Sequence, residues 1–114
     1  MKLTLSGKIV SATAGVLMAL SVPATGFSAD TIKFGVAGPH SGDLASYGLP
    51  TVNAAKIVVK QVNDAGGING KMIELLIEDD VCKPEIATNT ATKLVSEGAE
   101  VVLGHVCSGA TKAA

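Results

Sequence analysis

The chain has 114 residues, nine Lys and Arg against ten Asp and Glu, and 47% hydrophobic residues. This length holds one domain at most, and a near-neutral charge without a basic block argues against nucleic-acid binding. The longest apolar stretch lies at the N-terminus and is too short for a stable membrane span. The composition therefore predicts a soluble α/β chain.

Residues 1–29 have the layout of a secretory signal peptide. Lys2 and Lys8 give a positive start, residues 9–20 are apolar, and Pro23 precedes a run of small and polar residues. A buried N-terminal helix is the alternative, but it would show polar residues at a period of 3.6. The segment has no Cys that could accept a bacterial lipid anchor. We expect export and release, with residues 30–114 as the mature part of this sequence.

The first half of the mature part predicts a strand and a helix. Apolar residues alternate over residues 31–37, which predicts the first strand. Apolar spacings of three and four then predict an amphipathic helix over about residues 47–65. Pro50 suits the first turn of this helix, and Gly66-Gly67 suits a left-handed C-terminal cap.

Two further strands and two further helices follow. Asn69-Gly70 predicts a turn, and the apolar run 72–77 predicts a second strand covered on both faces. Pro84 begins a second helix that extends towards Gly98. Residues 99–104 predict a third strand, and residues 108–111 predict the turn into a third helix.

This βαβαβ order predicts a parallel sheet with right-handed crossovers. The fold class is α/β, a partial doubly wound parallel sheet with strand order 2-1-3. The third helix starts only a few residues before Ala114, without closing elements. We therefore expect the sequence to be the N-terminal part of a longer protein.

A sheet of this order opens a crevice beyond the carboxyl ends of strands one and three. Residues 38–47 and 105–111 line the predicted crevice, and both segments are rich in Ser, Thr and Gly. Free backbone N–H groups at the following helix starts suit a carboxylate or another anion. Helix capping by Ser41 and Ser108 is the alternative. Two such segments at one switch point favour a binding role.

Cys82 and Cys107 form an even pair in an exported chain, which predicts a disulfide. The bond would close a loop of about 25 residues, worth roughly 3 to 3.5 kcal/mol in the chain-entropy model. It would fix the backbone at Ser108. The alternative is a secreted Cys-dependent α/β hydrolase, because Cys107 lies between a strand and a helix as in a nucleophile elbow. The adjacent His105 is too local to serve as its base.

Metal and phosphate sites are not favoured. Possible metal ligands follow the strand ends but match no zinc spacing; they are Asp79, Asp80, Cys82, His105 and Cys107. No mature glycine loop matches a phosphate-binding motif. We interpret residues 78–80 as a solvated acidic turn and His40 as an ordinary polar loop residue.

Four segments resemble the periplasmic leucine/isoleucine/valine-binding proteins of bacterial ABC transporters, within the type I periplasmic binding protein superfamily. They are residues 33–43, 63–71, 78–84 and 104–111. The resemblance implies two α/β lobes joined by a hinge and closing on one amino acid. This chain resembles the first part of the first lobe.

The resemblance also implies site residues. The residue aligned with Ser108 holds the ligand carboxylate, the aromatic ring aligned with Tyr47 lies against the ligand, and the aligned cysteines are paired. With the crevice residues, the predicted ligand-binding set is Tyr47, Ser108, Ser41, Gly109 and Thr111.

The implied function is that of a periplasmic solute-binding component without enzymatic activity, cofactor or metal. A monomer would capture branched-chain or related amino acids and deliver them to an ABC permease in the inner membrane. The alternatives are the hydrolase and the ligand-binding ectodomain of a sensor or receptor. A thiol titration of denatured, unreduced protein tests the first, and a transmembrane helix after Ala114 would mark the second.

Overall fold

The computed structural model describes residues 30–114, in which three strands alternate with three helices. In chain order the elements are β1 (Ile32–Gly38), α1 (Ala45–Asp64), β2 (Ile73–Asp79), α2 (Pro84–Ser96), β3 (Val101–Leu103) and α3 (Ser108–Ala113). The predicted alternation is confirmed. The predicted signal peptide lies outside the described residues. Within residues 30–114, no helix is both long and apolar enough to cross a membrane.

The strands form one parallel sheet in the order β2-β1-β3, as predicted. The β1–β2 register runs from the pair Ile32 and Ile73 to the pair Gly38 and Asp79. On its other side β1 pairs with β3 around Gly35. The carboxyl ends of all three strands therefore meet at one edge of the sheet.

Helix α1 begins at Ala45, so the predicted start near residue 47 is slightly late and Pro50 lies inside the helix. The N–H of Ala45 donates to the Gly42 carbonyl at 3.2 Å, which starts the turn early. The predicted C-terminal cap is confirmed. Gly66 and Gly67 have φ values of 102° and 78°, a region that costs glycine little.

The two long helices cover opposite faces of the sheet. On one face Val36 of β1 is buried against Val52 and Ala55 of α1. On the other face Leu94 of α2 is buried, and its side chain lies over Gly35. Alternate residues of the central strand thus contribute to two separate core layers.

The expectation that β2 is covered on both faces is wrong. Glu74 and Ile77 are exposed, since β2 pairs within the described sheet only with β1 and forms an edge. The strand also extends to Asp79, so two acidic residues that we assigned to a turn belong to the sheet. All three residues of β3 are exposed as well.

Candidate functional site

Three loops meet at the carboxyl edge of the sheet: loop 1 (residues 39–44), loop 2 (80–83) and loop 3 (104–107). Glycines allow two close approaches there. A Cβ at Gly48 of α1 would overlap the Pro39 carbonyl, and a Cβ at Gly104 would overlap the Ala37 carbonyl. Gly104 also has a φ of 138°. Loop 1 therefore packs directly on α1, and loop 3 packs directly on the end of β1.

Asp79, the last residue of β2, joins loop 1 to loop 2. Its Oδ1 accepts the N–H of His40 at 2.8 Å and that of Val81 at 2.9 Å. Its Oδ2 accepts the hydroxyl of Ser41 at 2.5 Å. Burial raises the pKa of Asp79, but the hydrogen bonds from Ser41, Val81 and His40 outweigh it and lower the pKa below its ordinary value.

Asp80 joins loop 2 to loop 3 and has no exposed surface. Its Oδ1 accepts the N–H of Cys82 at 2.8 Å, and its Oδ2 lies 2.5 Å from Nδ1 of His105. Its own N–H donates to the Gly38 carbonyl at 3.0 Å. The interpretation of residues 78–80 as a solvated acidic turn is therefore wrong, because donors from neighbouring loops bond to the half-buried Asp79 and to the buried Asp80.

The predicted disulfide between Cys82 and Cys107 is confirmed, with Cα atoms 5.5 Å apart. On its loop 2 side, Val81 and Cys82 have φ values of 42° and 59°, which side-chain-bearing residues rarely adopt. Each of these two N–H groups is held by the carboxylate two residues earlier, as in an Asx turn. The Cys107 sulfur is bonded, so this form has no thiol nucleophile for the alternative hydrolase.

The structure brings the predicted ligand-binding residues to this edge, but their side chains are not equivalent. Tyr47 is 67% exposed near the start of α1. Ser108 and Gly109 are exposed at the start of α3, and no residue among 30–114 hydrogen-bonds to the Ser108 hydroxyl. The hydroxyl of Thr111 instead donates to the His105 carbonyl at 2.7 Å.

Neither Ser41 nor Ser108 caps a helix through its side chain, so the capping alternative does not hold for the described loops. The N-cap residues of α1 and α3 are Leu44 and Cys107, and neither cap has a side-chain hydrogen bond. Ser41 bonds to Asp79 instead. Of the two serines, Ser108 therefore keeps its hydroxyl available for a ligand.

Sequence reasoning missed the buried Asp80 and the half-buried Asp79, and it misjudged His40. Both ring nitrogens of His40 are buried, and no described residue bonds to either. The ring lies beside Gly38, as does the side chain of Val106 from loop 3. The available signal for the aspartates was their position two and three residues before Cys82 of the predicted disulfide.

Three clefts lie in the described part of the chain. One, of about 350 Å³, lies between loops 1 and 2 and is lined by Ser41, Gly42, Asp43, Leu44, Val81 and Lys83. A second, of about 290 Å³, borders loop 3 and is lined by Ala91, Val95, Val102, Gly104, His105, Thr111 and Ala114. The third, of about 260 Å³, is apolar and lies between α1 and the sheet, away from loop 2. Residues 30–114 contain no cluster of three or more His, Cys, Asp or Glu side chains that could hold a metal ion.

Comparison with known proteins identifies the family. Residues 31–114 match the family model described as periplasmic binding protein. The chain belongs to the periplasmic binding protein family. The family assignment agrees with the parallel sheet of order 2-1-3 and with the disulfide above it.

This periplasmic binding protein is similar to branched-chain amino acid binders. It is 45% identical over 87 residues to the leucine-, isoleucine-, valine-, threonine- and alanine-binding protein of Pseudomonas aeruginosa, covering 76% of this chain and 23% of the relative. It is also similar to the branched-chain amino acid transporter substrate binding protein LivJ of Streptococcus pneumoniae, solved in complex with isoleucine. That match has a TM-score of 0.69 and 39% identity, and covers 73% of this chain and 24% of the other.

A third similar structure holds a different ligand. It is a solute binding protein of an ABC transporter from R. palustris in complex with benzoate, with a TM-score of 0.64 and 33% identity. The match covers 73% of this chain and 23% of that one. The present chain thus spans about a quarter of the length of the relatives it matches.

Proposed function

We propose that the full-length protein is the extracytoplasmic solute-binding component of an ABC transporter, and that it binds a branched-chain amino acid. The observation that carries the proposal is the exposed Ser108 at the start of α3. Its hydroxyl has no partner among residues 30–114, in a loop fixed by the disulfide and by the close approach of Gly104 to β1. A free hydroxyl on a rigid loop suits a charge-assisted hydrogen bond to a carboxylate.

The other predicted residues divide into two roles. Tyr47 is exposed, and its ring covers the apolar part of the ligand. Gly109 leaves the backbone beside Ser108 open to the ligand. Ser41 and Thr111 already bond within the loops, so they hold the loops in place rather than contact the ligand.

The ligand class follows from chemistry shared by the relatives. Isoleucine and benzoate, found in two similar structures, are both carboxylates on an apolar group. Ser108 recognises the carboxylate and Tyr47 the apolar group. The 45% identity to a protein named for binding leucine, isoleucine and valine favours the amino acid over the aromatic acid.

The transport role completes the proposal. Residues 1–29 direct the chain to the periplasm and are removed there. The protein acts as a monomer: two lobes close on the ligand by a hinge motion, and contacts made only in the closed state stabilise that form. The closed form delivers the ligand to a permease in the inner membrane, and no bond in the ligand is made or broken.

Calorimetry of the full-length protein, stripped of ligand, tests this proposal. We expect binding of leucine, isoleucine or valine, weaker binding of benzoate and no binding of urea. Ser108→Ala should weaken leucine binding about 10- to 100-fold, since a hydrogen bond to a charged group contributes about 1.5–3 kcal/mol.

Ser96→Ala is the matched control. Ser96 lies at the far end of α2 and bonds only to the Lys93 carbonyl, so its removal should leave the affinity unchanged. Failure to bind any of these carboxylates would refute the proposal, and so would a Ser108→Ala variant with wild-type affinity.

A further inference from the structure

A buried ionisable pair lies beside the proposed ligand residues without belonging to them. The Asp80 side chain has no solvent exposure, that of His105 has 5%, and Oδ2 of Asp80 lies 2.5 Å from Nδ1 of His105. A proton on Nδ1 of His105 gives this carboxylate oxygen the donor that it can accept. The second oxygen of Asp80 accepts the Cys82 N–H, so both carboxylate oxygens have partners.

The pair is linked to the start of α3 through the His105 main chain. The His105 carbonyl accepts the hydroxyl of Thr111 at 2.7 Å, and the N–H of Thr111 donates to the Cys107 carbonyl at 2.9 Å. These bonds span the first turn of α3, on which Ser108 lies. A change in the position of His105 is therefore transmitted to Ser108.

The disulfide is one of three attachments of loop 3. It holds Cys107, whose Cα lies 5.5 Å from that of Cys82, and the close approach of Gly104 to the Ala37 carbonyl holds the start of the loop. His105 lies between these two points and supplies the third attachment. Asp80 anchors both the disulfide and His105, since it bonds to the N–H of Cys82 and to the ring of His105.

We infer that His105, held by Asp80, is the positioning residue for the Ser108 hydroxyl. The affinity for a carboxylate ligand then depends on this pair although neither side chain touches the ligand. The inference rests on the proposed function of Ser108. It assigns to the Asp80–His105 pair a role in binding besides its role in joining the loops.

The test compares two substitutions of His105 in the full-length protein. His105→Leu removes the donor, whereas His105→Asn keeps an N–H near the position of Nδ1. We expect His105→Leu to weaken L-leucine binding about tenfold or more by calorimetry, and His105→Asn to remain within about threefold of wild type. Glu78→Gln is the matched control, because Glu78 lies in β2, two residues before Asp80, but pairs with the half-exposed Lys93.

A second measurement covers the case in which His105→Leu does not fold. The ring ¹⁵N shifts of His105 should show a protonated Nδ1 in the wild type. Asp80→Asn should change this signature and weaken leucine binding while the urea midpoint shows a folded protein.

Every result of these measurements either supports or overturns the role of His105 in positioning Ser108. A folded His105→Leu variant, or a folded Asp80→Asn variant, that binds leucine as tightly as wild type would overturn the inference. A His105→Asn variant that binds leucine as weakly as His105→Leu would overturn it as well, because the inference attributes the effect to the hydrogen bond and not to the volume of the ring. A wild-type protein that binds neither leucine nor benzoate would refute the proposed function itself and is recognisable as such.

Discussion

Removal of the Cys82–Cys107 disulfide should destabilise the folded chain strongly. The cysteines are 25 residues apart in sequence. A loop of that length gives about 3.5 kcal/mol in the chain-entropy model at 25 °C. Domains of this size have only about 5–15 kcal/mol of stability in total, so the bond supplies a large share of it.

Hydrogen exchange of the β1 amides measures this loss locally. β1 is the central strand of the sheet, so its slowest amides exchange only when this unit unfolds. A loss of about 3.5 kcal/mol corresponds to roughly 300-fold faster exchange in the Cys82→Ala/Cys107→Ala variant. The full-length protein is the material for the measurement.

Reduction provides the matched control. A reductant should accelerate β1 exchange in the wild type to a similar extent and should have no effect on the double variant. If reduction leaves the wild-type exchange rates unchanged, the disulfide does not stabilise the sheet and the reasoning is refuted.

Three further substitutions test particular contacts by urea unfolding. Gly48→Ala should lower the free energy of unfolding by about 1–3 kcal/mol, because its Cβ would overlap the Pro39 carbonyl; stabilisation, as helix propensity alone predicts, would contradict the packing. Asn63 donates to the carbonyl of Ile73 and accepts its N–H, so Asn63→Ala should cost about 1–3 kcal/mol. Asn63→Asp keeps the acceptor but places a second oxygen against the Ile73 carbonyl, so at neutral pH it should cost at least as much, and a markedly smaller loss would argue against the donated bond. Hydrogen bonds lower the pKa of Asp79 below its ordinary value in the folded state. Its carboxylate therefore stabilises the fold at neutral pH, and this stabilisation is lost as the pH falls through the folded-state pKa. Asp79→Asn should therefore show a flatter decline of stability below about pH 4, and an unchanged acid profile would count against this role.

Local sequence patterns were sufficient for the order of elements. Apolar residues alternate around Val36, which indicates a strand. They recur at spacings of three and four through Val52 and Ala55, which indicates a helix. The parallel arrangement then follows from the length of the crossovers. The disulfide was predictable for a similar reason, because an exported chain with two cysteines leaves one pairing.

The hydrogen-bonded positions of Asp79 and Asp80 were not predictable in this way. Residues 78–80 are hydrophilic in sequence, and hydrophilic runs usually face solvent. Asp79 is half-buried and Asp80 is buried, and they bond to His40 and His105, which are 39 and 25 residues away. A periodicity argument contains no information about such long-range hydrogen bonds. The same limit applies to Ser41 of loop 1, whose partner Asp79 is the last residue of β2, 38 residues away.

The early start of α1 has a tertiary cause that the local pattern did not show. Pro50 favours a first helical turn, and we placed the helix start accordingly. Gly48 instead lets the chain pack on Pro39, so the helix begins at Ala45 and includes the proline. Tertiary contact thus outweighs a local preference at this position.

Recognition of a ligand carboxylate at Ser108 is the central claim, and a comparison of L-leucine with L-leucinamide tests it most directly. The two ligands share the side chain and the ammonium group and differ in the carboxylate. Calorimetry of the full-length protein should show leucine binding and at least about 100-fold weaker binding of leucinamide. Comparable affinities for the two ligands would contradict the account.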